Sequence, residues 1–454
     1  MSRVRDGGAD ASPTKHRALL AAIVTLIVTI SAAIYAGTAT GNGARTRTAL
    51  PDGRPPYGAA PASAGTWVGA WYAAPSEAEP GTAVTGMANR SVRNVLHASV
   101  GGNGARVTLS NLYGSSPLTV THATVALAAG PGTAAAREGT LRPLTFAGSP
   151  RVTVPAGGQV TSDSAALAVP RGADVLVTTY SPTAAGPVTY HRVARQTSYL
   201  AAGDRAGDTS GLAYTVRTPF WRYVTALDVQ SHEARGTVVA LGDSITDGFA
   251  STMDANRRWP DVFAARLRAA AQAGDPDAPR YSVVNAGISG NRVLTSRGGR
   301  PADNPSALSR FSRDVLGRPN VKAVVIALGV NDVLNSPRLA DRDKLLAGLR
   351  TLVAQAHARG IKVVGSTITP FGGYVRYTDA REEMRQQVNA EIRAGRVYDA
   401  VVDFDKVLRD PYDPRRLRAE YDSGDHVHPD DDGYARMGGA LDPADLKGSV
   451  PVRL

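Results

Sequence analysis

The hydrophobic rhythm of the chain changes along its length, and each change predicts a different structure. Residues 1–17 are polar and carry Arg3, Arg5, Lys15 and Arg17, and residues 18–37 form an uncharged, largely apolar run with Leu19, Ile23, Leu26, Ile27, Ile30 and Ile34. One passage through a bilayer needs roughly 20 such residues. Two readings stay open: a signal peptide cut after small residues near Gly37-Thr38-Ala39, or a single transmembrane helix that leaves the basic segment in the cytoplasm. Both predict an extracellular protein, secreted or anchored. Residues 38–65 are Gly, Ala, Pro and Thr with few large apolar side chains, the composition of a disordered linker.

Over residues 66–232 the pattern has period two, in short β-branched runs separated by Gly, Pro and Asn. Runs at 91–97, 105–110, 118–125 and 174–180, with turns at 101–104 and 155–158, predict an all-β, jelly-roll-like sandwich. From 236 to 448 strands alternate with helices, the pattern of an α/β domain with a parallel sheet. Strands are expected at 237–241, 281–285, 323–328, 361–368 and 400–404. Between them, Trp259, Phe263 and Leu267 share one helical face with Pro260 in the first turn, and Leu345, Leu349, Leu352 and Ala356 another that stops at Gly360. A third helix carries Met384, Val388 and Ile392, with Asp379 expected as its N-cap.

Composition narrows the chemistry. The 454 residues contain no cysteine, which excludes disulfides, thiolate metal sites and a cysteine nucleophile. The net charge of +11 comes from arginines spread along the chain without a basic run, a bias towards acidic surfaces rather than nucleic acid. His97, His122 and His191 lack metal-ligand spacing and read as structural residues. Trp67, Trp71, Trp221 and Tyr223 lie in or beside strands, where aromatics more often fill a core than stack on sugars.

The strand at 237–241 runs into Gly242-Asp243-Ser244, which delivers a hydroxyl to the carboxyl end of a parallel sheet. Asp243 and Asp247 are placed to bond N–H groups of that loop. Serine needs a base and its oxyanion needs donors. The later strands end in Ala286-Gly287-Ile288-Ser289-Gly290-Asn291 and Gly329-Val330-Asn331-Asp332, and a loop near the C-terminus holds Asp425-His426-Val427-His428. Strand ends converge, so His428 is expected to take the proton of Ser244 and Asp425 to orient the imidazole. The N–H groups of Ser244 and Gly290 and the side-chain amide of Asn331 are the expected oxyanion hole. An imidazole base predicts activity rising between about pH 6 and 7.

These blocks resemble the SGNH hydrolase superfamily, the GDSL esterases and lipases, over residues 236–442. The resemblance implies a flavodoxin-like three-layer α/β/α fold, metal-free hydrolysis of esters through an acyl-enzyme with no cofactor, and His428 rather than His426 as the base, because the family pattern places the histidine three residues after Asp425 and before a proline. A β domain ahead of the hydrolase resembles the branch similar to bacterial acetyl xylan esterases. The leading expectation is an exported monomeric esterase that removes O-acetyl groups from a glycan or another small ester. A lipase or lysophospholipase, or a non-catalytic glycan-binding wall protein, are the alternatives.

Overall fold

The computed structural model describes residues 65–448 except 300 and 336–340. The segments expected at 1–17, 18–37 and most of 38–65 lie outside the described residues. Among the described residues no helix is long and apolar enough to cross a membrane.

The described residues form one compact unit. Its first part holds two larger antiparallel sheets, accompanied among the described residues by a three-stranded and a two-stranded one. One orders the strands Thr66–Tyr72, Val224–Ser231, Ala105–Ser110 and Gln159–Thr161; the other is built around Arg90–His97, Asp174–Ser181 and His122–Leu127. Alternate residues of both sheets, among them Val68, Val107, Leu227, Val92, Val125 and Val177, fill one core, as a sandwich requires. Trp71 and Trp221 meet edge to face in that core with ring centres 4.8 Å apart, so neither is offered to a ligand. Tyr223 is buried with them, whereas Trp67 is half-exposed under the guanidinium of Arg106.

The run expected as one strand at 118–125 is two. Leu118–Val120 pairs with Val152–Val154, and His122–Leu127 joins the larger sheet beside Asp174–Ser181. Continuous β-branched composition does not reveal that break, because it depends on which partner each half finds.

The second part contains a five-stranded parallel sheet in the order Tyr281–Gly287, Gly236–Gly242, Val321–Ala327, Lys362–Ser366 and Ala400–Val402. In order of sequence this is 2-1-3-4-5, the flavodoxin-like winding, whose switch point lies at the end of the first strand. The helices Trp259–Gln272, Arg342–His357 and Asp379–Arg393 bury the apolar stripes that their periodicity predicts. Thr378, not Asp379, caps the last of these: Thr378 is extended and its hydroxyl accepts the N–H of Arg381. Asp379 is already helical, where its charge favours the positive end of the helix dipole. The last two strands are shorter than expected, and Phe404 opens the helix Phe404–Leu408 instead of closing a strand.

Candidate active site

Register brings three loops together. Gly242 lies opposite Gly287 on one side and Ala327 on the other, so the turns that follow these residues leave the same rim of the sheet on adjacent strands, roughly 5 Å apart. Ser244 opens the short helix Ser244–Asp247 on the central turn, and its residue is buried with 8% exposure. Asp243 caps this helix by accepting the N–H of Ile245 at 3.0 Å. Asp247 does not bond within the loop as expected from sequence; it reaches the neighbouring turn, accepting both the N–H and the hydroxyl of Ser289 at 2.8 and 2.7 Å.

The C-terminal loop closes over this rim. His428 Nε2 lies 2.7 Å from Ser244 Oγ, and Nδ1 lies 2.5 Å from Asp425 Oδ2. The other carboxylate oxygen of Asp425 accepts the N–H groups of Val427 and His428, which locks the loop around the carboxylate. Burial works to raise the pKa of Asp425, but its bond to His428 and the two N–H donors prevail and bring it down to about 2. A carboxylate that stays charged keeps the proton of the neutral imidazole on Nδ1, leaving Nε2 with the lone pair that faces the hydroxyl. The Phe249 ring packs 4.5 Å from the imidazole. His426, the rival base in the sequence, instead points its Nδ1 at Asp422 Oδ2, 2.6 Å away.

The expected oxyanion donors sit on the flanking turns. Asn331 lies in the helix Val330–Leu334, where its side-chain oxygen accepts the amide of Asn335 at 2.6 Å and its Nδ2 is buried without a hydrogen-bond partner among the described residues. Asn335 is in turn held by the guanidinium of Arg376. A buried amide N–H with no acceptor of its own is available to one that arrives with the substrate. Gly290 has φ +78°, and a Cβ there would come within 3.2 Å of Arg297 Nη2 and 3.4 Å of Asn304 Nδ2. Its loop is braced on several sides: Asn304 donates to the Ser289 carbonyl, Asn291 donates to Asn304, and Ile288 donates to the Gly242 carbonyl.

Three supporting groups carried no signal in the sequence. Arg310, fully buried, donates to the carbonyls of Gly242 and Ala286, to Asn291 Oδ1 and to Asp314, so one guanidinium ties two strand ends and the Gly290 loop together. Asp314 also accepts the hydroxyl of Tyr72 from the sandwich. Asn335 and His191 complete the set, the latter through a 2.8 Å contact with Asp247. Burial raises Asp243 to about 7 and Asp332 to about 6.

Residues 240–436 match the model of the GDSL-like lipase/acylhydrolase family. No curated protein matches the chain. Among solved structures, a GDSL-like lipase from Bacteroides thetaiotaomicron is 23% identical, covering 45% of this chain and 84% of that one with a TM-score of 0.33. A carbohydrate acetylesterase from Sinorhizobium meliloti is 17% identical over 45% of this chain and 96% of that one, with a TM-score of 0.34. A family two carbohydrate esterase from Clostridium thermocellum, in complex with cellohexaose, is 14% identical over 81% of this chain and 95% of that one, also with a TM-score of 0.34. With a Gly-Asp-Ser turn at the end of the first parallel strand and the family match running from that strand to the helix after His428, this chain carries a GDSL-like lipase/acylhydrolase domain of the SGNH type and is a serine carboxylic ester hydrolase.

Proposed function

We propose that the protein is an exported esterase that removes short acyl groups, acetyl above all, from a glycan or a small ester. The observation that carries the mechanism is the unbroken hydrogen-bonded line from Asp425 through His428 to Ser244, with the free amide of Asn331 on the adjacent turn. Ser244 Oγ attacks the ester carbonyl as its proton passes to His428 Nε2. The oxyanion is met by the N–H groups of Ser244 and Gly290 and by Asn331 Nδ2. His428 returns the proton to the departing alcohol, and a water activated by the same nitrogen releases the acid from the acyl-enzyme.

The polar surroundings favour a short acyl group on a hydroxylated substrate. Ser289, Asn304, Asn335 and Arg376 hold the walls of the site, and the loops at 292–304 and 371–377 contain few large aliphatic residues. Export rests on the apolar run at 18–37. Acetate release from acetylated xylan and from p-nitrophenyl acetate tests the reading. Ser244→Ala is expected to lower kcat by at least about 10⁴-fold; retained turnover in that variant contradicts the mechanism. A lipase reading is favoured by Phe249, 42% exposed and packed on the His428 ring. A rate that rises from acetyl to octanoyl esters supports that reading and removes the deacetylase.

A further inference from the structure

A histidine of the sandwich reaches the carboxylate that ties the nucleophile's helix to the Gly290 loop. His191, in the strand Thr189–His191, is 4% exposed and packs with its ring 5.5 Å from that of Trp221. Both of its ring nitrogens face oxygen. Nδ1 lies 2.8 Å from the carbonyl of Ala74, and Nε2 lies 2.8 Å from Asp247 Oδ1. A carbonyl can only accept, so Nδ1 carries a proton, and a neutral ring would then turn a bare lone pair on Nε2 towards a carboxylate. The arrangement is satisfied when Nε2 is protonated as well. Burial opposes the charge on the ring, yet Asp247 and the two hydrogen bonds raise its affinity for a proton above the ordinary histidine value. Arg258 also lies within the electrostatic reach of Asp247, but its guanidinium is committed to Asp261, at 2.7 and 3.1 Å. Arg195 also feels the charge of Asp247.

Asp247 is therefore shared. One oxygen meets the sandwich, the other holds the N–H and hydroxyl of Ser289, and Asp247 itself ends the helix that Ser244 begins. Ser289 immediately precedes Gly290.

We propose that His191 is a positioning residue for ester hydrolysis: the sandwich, through the His191–Asp247 pair, sets the spacing between Ser244 and the Gly290 N–H. The inference rests on the assignment of Ser244 as nucleophile and Gly290 as oxyanion donor. Without the imidazole, Asp247 keeps only its bonds to Ser289 and is free to turn, and the Gly290 loop moves with it. A displacement of about 1 Å near reacting atoms can cost about 10²-fold in rate. The oxyanion exists only beyond the ground state, so the loss falls on kcat and leaves KM unchanged.

The test uses the full chain with p-nitrophenyl acetate. His191→Leu and Asp247→Ala, which leave no side-chain donor or acceptor for the tie, are each expected to lower kcat by about 10- to 100-fold with KM within about twofold of wild type. The double variant is expected to be no slower than the slower single one, because both changes break the same tie. Trp221→Phe, which alters packing beside His191 without touching Asp247, is expected to lower the melting temperature and leave kcat near wild type. Wild-type kcat in folded His191→Leu, or losses that multiply in the double variant, overturns the proposal. Should His191→Leu fail to fold, ¹⁵N NMR of the wild-type protein decides: a ring signal assigned to His191 with both nitrogens protonated above neutral pH supports the pair, and a neutral His191 there overturns it. Ser244→Ala separates the two claims. If it is inactive while His191→Leu is fully active, only the positioning role fails; if Ser244→Ala turns over, the reading of the active site fails.

Discussion

At the residue scale the site is a set of groups whose free valences are used up except where the substrate needs them. Asn331 is the clearest case: Asn335 takes the side-chain oxygen, which fixes the amide orientation and leaves Nδ2 unpartnered. Asn331→Ala is expected to lower kcat by about 10²- to 10³-fold with little change in KM, the size found when one oxyanion donor is removed. Steady-state kinetics checks it. Asn335→Ala should produce a smaller loss in the same direction, since it frees the amide to rotate without deleting it.

Buried carboxyls set the pH response of stability. Asp243 rises from an ordinary 3.8 to about 7, burial being the main cause. Between about pH 4 and 7 the folded protein then holds a proton that the unfolded chain has released, so this group makes stability fall as pH rises through that window. Asp243→Asn keeps the acceptor for the Ile245 N–H and is expected to flatten the slope, read from urea midpoints across the range. An unchanged slope would show that Asp243 is ionised throughout. Asp425 works in the opposite sense: lowered to about 2, it contributes stability above its unfolded value that is lost as pH falls from about 4 towards 2. Its partial exposure to solvent weakens that contribution.

At the scale of elements, the parallel strands supply position and the buried polar side chains supply precision. Gly242, Gly287 and Ala327 are aligned by strand register alone, but the turns beyond them have no ladder to hold them. Arg310 does this by hydrogen-bonding the carbonyls of Gly242 and Ala286 together with Asn291. Arg310→Met leaves two carbonyls without that donor and Asp314 without one of its cations, a change expected to cost about 3–5 kcal/mol as well as activity. Chemical denaturation measures the first; a variant within about 1 kcal/mol of wild type would show that Arg313, also bonded to Asp314, suffices.

At the scale of the molecule, the sandwich and the α/β part share packing. Tyr72, Ala74 and Ala226 of the sandwich belong to the apolar cluster of the parallel sheet and its helices. The Gly69 N–H donates to Thr237 Oγ1, and a Cβ on Gly69 would lie 2.9 Å from Val284 Cγ1, so the first strand of the sandwich lies directly on the parallel sheet. Tyr72–Asp314 and His191–Asp247 extend that contact to the active site. Thermal unfolding is therefore expected to show one transition, with tryptophan fluorescence and far-UV circular dichroism changing together. Two resolved transitions would mean that the parts unfold independently.

Much of this was readable without coordinates, because period, turn chemistry and strand–helix alternation are local properties. The β-branched runs before residue 232, the Gly-Asp-Ser turn after an apolar strand, and the paired blocks at Gly290 and Asn331 each announce themselves within about ten residues. The break at Thr121, the cap at Thr378 and the edge-to-face pairing of Trp71 with Trp221 were not legible, since each depends on a partner distant in sequence or on a choice between adjacent residues of similar chemistry. The same limit hid His191, Arg310 and Asn335. Nothing in Tyr190-His191-Arg192 announces a carboxylate 56 residues away, because buried hydrogen bonds are selected by where strands and loops meet in space, and only the folded chain brings those ends together.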